Sequence, residues 1–171
     1  DILSHIVEFR NGESGLHVLH IRTITEVLLR QLSSVCGQYD LTPARIALIT
    51  NASSLHDIGK ISIPEDILNK PGKLDKEEFE IIKTHSAVGA QMLESLTYYQ
   101  DEELVQVARE ICRWHHERYD GCGYPDGLKG EEIPVSAQVV AMADVYDALT
   151  TRRVYKPAYP HKRAMEMILN G

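Results

Sequence analysis

Apolar residues recur along this chain at the spacing of a helix turn, in blocks separated by glycine and proline. From His17, the positions Ile21, Ile24, Leu28, Leu32 and Val35 share one helical face, and Gly37 suits the stop. Thr42-Pro43 reads as an N-cap followed by a first-turn proline, opening a helix to about Asp57 with Gly59 just beyond. Pro64 begins a short helix, and Lys70-Pro71-Gly72 forms a turn. Asp75 caps the next helical stretch, in which Ile81, His85, Val88 and Met92 share a face. A helix from Asp101 to about Glu117 brings Leu104, Ala108, Ile111 and His115 into register. Residues 120–134 hold four glycines and two prolines and read as a loop. Ser136 is expected to cap a helix through Leu149, and a last helix begins near His161. No stretch alternates at the strand period, so the predicted fold class is all-α, a compact multi-helix bundle.

Composition narrows the setting. The 171 residues fit one domain, with enough apolar content (43%) for a core that needs no disulfides. No apolar run approaches a membrane span, and the opening DILSHIVEFR mixes charges into its apolar residues, unlike a signal peptide. Cys36, Cys112 and Cys122 are odd in number and lack CxxC spacing, so free thiols in a cytoplasmic setting are expected. A net charge of -7 argues against binding a DNA or RNA duplex, which wants a basic face. It leaves room for a phosphate ligand if bound cations dominate the local field.

The chemistry lies in what interrupts the apolar faces. Glu13, His17, His56, Asp57, His85, His115, His116 and Asp144 sit where Leu or Val is expected. Burying so many carboxylates and imidazoles is costly unless something pairs with them, and a convergent oxygen and nitrogen set pairs most simply with metal ions. Glu13 and His17 are four residues apart, and Asp144 lies four after Val140. The adjacent pairs His56-Asp57 and His115-His116 would point about 100° apart on a helix, so both members reach one site only if it is wide. A cluster of two or three divalent ions is wide in that sense. Without thiolate ligands the set suits Fe or Mn, with Zn, Co or Ni as substitutes. Three divalent ions bring about +6, three carboxylates about -3 and a hydroxide about -1, leaving roughly +2 for an anionic substrate. Asp147, one turn after Asp144, is placed to support a ligand or to cap; His5 and His161 read as surface residues and His20 as a helix-face residue.

The strings HDIGK (56–60), HHERYDGCGYP (115–125) and ADVYDALTTRRVYK (143–156) closely resemble the HD-GYP family, bacterial phosphodiesterases of the HD superfamily that act on cyclic di-GMP. The resemblance runs from Glu13 to about Lys156 and implies an HD-type helical bundle with a glycine-rich GYP loop. It implies that the eight residues above are metal ligands, and that Glu13 goes with three metals instead of two. Three metals are associated with hydrolysis through to GMP, two with stopping at linear pGpG. By position, Lys60 corresponds to a lysine on the substrate phosphate, and Arg153 and Lys156 to basic residues that hold the dinucleotide. The resemblance further implies that Tyr124 and Pro125 form a substrate-side wall and offer a docking surface for diguanylate cyclase (GGDEF) domains. The implied mechanism is attack on phosphorus by a metal-bridging hydroxide, with Asp57 bridging and Lys60 offsetting charge. Two alternatives stand beside it: a module that senses cyclic di-GMP or docks a cyclase with little hydrolysis, and a hydrolase of another cyclic dinucleotide. Gln138 stands where the family usually has arginine, and the family domain usually continues beyond a position like Gly171. The chain is therefore expected to be a fragment of a longer protein, with a regulatory domain upstream.

Overall fold

The computed structural model describes residues 16–151 and 158–170, together with Val7 and Arg10. Seven α-helices appear among the described residues: α1 (Leu16–Val35), α2 (Pro43–Ser53), α3 (Glu65–Leu68), α4 (Lys76–Glu94), α5 (Glu103–Trp114), α6 (Val135–Thr150) and α7 (His161–Leu169). Short 3₁₀ turns cover Ile58–Ser62, Thr97–Tyr99 and Gly130–Glu132, and no strand occurs among the described residues. The fold is an all-α bundle. Helix α1 lies against α2 and α6, α5 against α2, α4 and α6, and α7 closes on α6.

Side-chain capping accounts for two of the helix starts. Thr42 accepts a hydrogen bond from the Arg45 amide and Pro43 takes the first turn. Asp75 and Glu78 form a complete capping box at the head of α4. Ser136 does not cap α6 as the sequence suggested; Pro134 takes that position, and the Ser136 hydroxyl bonds to Glu110 instead.

Ile21, Leu29, Ile49, Ala52, Ala108, Ile111, Cys112 and Val140 make a common core that α1, α2, α5 and α6 share. The sequence stripes were turned slightly off the true faces. Val35, Ile81 and Leu104 are exposed, while Val18, Thr25 and Leu29 face inward from α1 and Ser86, Gly89 and Leu93 from α4. The Cys112 thiol donates to the Leu55 carbonyl at 3.0 Å, and burial pushes its pKa up, so it packs as a neutral group. It ties α5 to the segment that leads into His56.

Two helices end earlier than their periodicity suggested. Helix α2 stops at Ser53, short of Asp57, and Ser53 and Ser54 each turn their hydroxyl back onto the carbonyl three residues earlier, at 2.8 Å. Helix α5 ends at Trp114 with His115 as its C-cap, short of Glu117. In both places the ligand-type pair sits at or beyond the helix end, where the backbone is free to turn.

Candidate metal centre

His56 and Asp57 occupy the turn between α2 and the first 3₁₀ turn, so the helical 100° offset between neighbours no longer applies to them. The turn is fixed against α4 by a backbone contact that only glycine permits. A Cβ on Gly59 would sit 1.9 Å from the His85 carbonyl oxygen and 2.6 Å from the Gly89 nitrogen. From the other side, the Arg10 guanidinium donates to the carbonyls of Lys60, Ile61 and Ile63.

The inward imidazoles share one logic. His56 Nδ1–H donates to the Ser53 carbonyl at 2.9 Å, His85 Nδ1–H to Ile82 at 2.6 Å, and His115 Nδ1–H to Ile111 at 2.9 Å. His17 Nδ1–H donates to Asp147 Oδ2 at 2.7 Å. Each of these bonds places a proton on Nδ1 and turns Nε2 inward, the outer support expected of metal-binding histidines. The two lone-pair atoms His85 Nε2 and His115 Nε2 face each other at 3.5 Å. With both rings in that tautomer neither donates to the other, and a shared cation would satisfy both.

Asp57 stands between two groups. Its Oδ1 is 3.2 Å from His85 Nε2 and 3.8 Å from His115 Nε2, while its Oδ2 is 3.2 Å from His56 Nε2 and 2.6 Å from Lys60 Nζ. One cluster with metal-binding spacing is Asp57, His85, His115 and His116; the other is His17, His56 and Asp57. Asp144 Oδ1 lies 3.8 Å from His17 Nε2, at the edge of the second cluster. His56 Nε2 and Asp57 Oδ1 are buried without a hydrogen-bond partner. A buried donor set of this kind, with its lone pairs converging and unsatisfied, fits divalent cations. The clustered His and Asp side chains thus point to a metal-binding site of the kind HD-domain enzymes carry.

The electrostatics agree. Burial works to raise the Asp57 pKa, but the Lys60 and His56 charges outweigh it and hold the carboxyl well below the usual carboxylate range. Burial also disfavours charge on His56, yet the Asp57 carboxylate beside it raises its pKa to about 9. Positive charge is therefore drawn to that spot. On the opposite side, burial and neighbouring His85 bring the His116 pKa down to about 3, and burial with His116 and His56 lowers that of His115 well below its ordinary value. Those two rings stay neutral, as metal binding requires.

Asp147 acts as a clamp. Its second oxygen, Oδ1, accepts from His20 Nδ1–H and from the Thr151 hydroxyl, each at 2.8 Å. Burial works to raise the Asp147 pKa, but the hydrogen bonds from His17, Thr151 and His20 bring it down to about 2. His20 is thus part of the support around His17. His161, exposed on α7, is hydrogen-bonded through Nδ1 with the Tyr146 hydroxyl at 2.8 Å.

The segment 117–134 carries a residue that sequence reasoning missed. The buried Glu117 carboxylate accepts three backbone N–H groups, from Asp126 at 2.7 Å, Gly127 at 3.0 Å and Leu128 at 3.1 Å. Arg113 grips Asp126 with two bonds of 2.7 Å, and Trp114 Nε1–H adds a third at 2.8 Å. Residues 113–117 therefore hold the candidate ligands and the glycine-rich segment together. Tyr124 stacks on His116, ring centroids 4.8 Å apart, and exposed Pro125 comes next across a cis peptide bond. Glu13, Arg153, Lys156 and His5 lie outside the described residues.

The family model described as HD domain matches residues 13–171, and the chain belongs to that family. It is homologous to several cyclic-dinucleotide phosphodiesterases. A cyclic di-GMP phosphodiesterase of Vibrio cholerae is 44% identical over 99% of this chain and 35% of its own length. A 3'3'-cGAMP-specific phosphodiesterase 2 of the same organism is 40% identical over 98% of this chain and 30% of its own. A cyclic di-GMP phosphodiesterase of Thermotoga maritima is 38% identical over 98% of this chain and 43% of its own. The chain thus spans roughly a third to two fifths of the length of these relatives.

Proposed function

We propose that the chain is the catalytic unit of a metal-dependent phosphodiesterase that cleaves a guanine-containing cyclic dinucleotide, cyclic di-GMP first among them. The observation that carries this reading is Asp57, whose two oxygens face two separate groups of buried imidazole lone pairs. In it, Asp57, His85, His115 and His116 would hold one cation, and His17, His56 and Asp144, with Asp57 again, would hold another. Glu13 is the proposed ligand of a third. Iron or manganese suits the donor set best. When bound, such ions supply Lewis-acid activation of water and charge neutralisation at a phosphodiester.

The chain's own residues do the rest. Lys60, held at the rim by Asp57, offsets charge that develops on a phosphate oxygen. Tyr124, stacked on His116, is the proposed substrate-side wall of the site. Arg153 and Lys156 are proposed to grip the dinucleotide, since arginine offers a planar fork for phosphate or a guanine edge and lysine a point charge. The glycine-rich segment, with Tyr119 and Pro125 exposed, is the proposed contact for a cyclase domain.

Hydrolysis of 3'3'-cGAMP is the second reading, and the names of relatives at similar identity favour it alongside the first. Anaerobic incubation with Mn²⁺ or Fe²⁺ and each dinucleotide, followed by chromatography for linear and mononucleotide products, tests both. GMP formed through pGpG is expected from cyclic di-GMP. Intact dinucleotide at every metal loading counts against an enzyme and for a sensing module.

A further inference from the structure

Lys83 stands beside Tyr124 and was not among the residues expected to hold substrate. It lies on α4, one turn after Phe79 and two residues before His85. Its ammonium is 5.6 Å from the centroid of the Tyr124 ring and 5.6 Å from that of Phe79. Since Tyr124 stacks on His116, the cation sits one ring away from the candidate metal centre. Its ion-pair partner, Glu80 at 2.7 Å, is 68% exposed, and such surface pairs exchange for other anions or acceptors at little cost. Phe79 is itself 47% exposed, with the Lys83 ammonium over its ring.

An exposed ring and a cation over two rings form a surface that a nucleobase edge can take: apolar aromatic area to rest against and a donor for its acceptors. We propose that Phe79, Lys83 and Tyr124 make a base subsite that accepts guanine and disfavours adenine. The inference rests on the phosphodiesterase reading and deepens it. Lysine has three donors and no acceptor. Guanine presents two acceptors, O6 and N7, on the edge where adenine presents one acceptor and the N6 amino donor. An ammonium meets both guanine atoms favourably and meets the adenine amino group with like polarity. A single guanine subsite has a consequence for mixed dinucleotides. Cyclic di-GMP fits in either orientation, 3'3'-cGAMP in one, and cyclic di-AMP in neither.

The test measures kcat/KM of the Mn²⁺-loaded protein for cyclic di-GMP, 3'3'-cGAMP and cyclic di-AMP, and identifies the first linear product from 3'3'-cGAMP. The wild type is expected to favour cyclic di-GMP over cyclic di-AMP by at least about tenfold, and to open 3'3'-cGAMP mainly to one of its two linear isomers. Lys83→Met is expected to raise KM for the guanine substrates, to collapse the preference and to give both isomers. Lys83→Arg keeps a donor fork and keeps the preference. Phe79→Ala raises KM for all three with their order unchanged. A Lys83→Met protein with the wild-type preference and isomer ratio overturns the inference, as does a wild type that opens 3'3'-cGAMP to equal amounts of both isomers. A wild type that cleaves none of the three sinks the phosphodiesterase reading itself, a distinct result.

Discussion

His17, His56, His85 and His115 each have one nitrogen committed to an acceptor and the other aimed at its neighbours. The His17 arm depends on Asp147, which also holds His20, so the clamp is a single point of failure. Asp147→Ala should weaken metal binding by about 10–100-fold, the usual cost of losing an outer partner, measured by competition against a chelator of known affinity. The metal-stripped protein should also report its histidines through pH. His116 carries a pKa of about 3 when folded against an ordinary 6.5, so between those values the unfolded chain binds more protons and stability falls as pH falls. His56 is the reverse, at about 9 when folded, so its contribution is full below 6.5 and lost as pH rises through 9. Thermal unfolding of the stripped protein should thus show greatest stability near pH 6.5. A midpoint that climbs steadily from pH 5 to pH 9 contradicts these assignments.

At the scale of elements, what matters is where helices stop. The sequence singled out residues that the fold brings together, and the place of His85 on α4 was legible from periodicity alone. It did not show how His56 and Asp57 both reach one centre, because no glycine or proline marks the end of α2; two serines end it by bonding back to its own carbonyls. His115 and His116 leave α5 in the same way, at its C-cap. Glu117 was illegible for a different reason: its partners are amides 9 to 11 residues away, a relation no local pattern encodes. Glu117→Ala should cost about 1–3 kcal/mol by stranding those amides, with proteolysis in 119–130 accelerated and metal content retained. Gly59→Ala forces α4 off the turn, since its Cβ overlaps the His85 carbonyl. About 1–3 kcal/mol of destabilisation is expected, with weaker metal binding because His85 moves too. A Gly59→Ala protein that keeps both wild-type stability and wild-type affinity would show that the two segments need not touch.

For the whole molecule, the helical class and the core helices α1, α2, α5 and α6 were legible in the periodicity, while their exact faces were settled by packing, as exposed Val35, Ile81 and Leu104 show. No described helix is long and apolar enough to cross a membrane. A net charge of -7 and a buried Asp57 carboxylate shared by two imidazole clusters make a molecule that cations stabilise. Divalent metal at 100 times its dissociation constant should add about 2.7 kcal/mol to the unfolding free energy, read as a rise in the midpoint that Asp57→Ala abolishes. The most direct test of the account is anaerobic elemental analysis of the purified chain beside its Asp57→Ala variant. Two or more divalent ions per wild-type chain, and loss from both clusters in the variant, is the predicted result. A wild type that holds one ion or none, or a variant that keeps the wild-type stoichiometry, would contradict a centre built on one shared carboxylate.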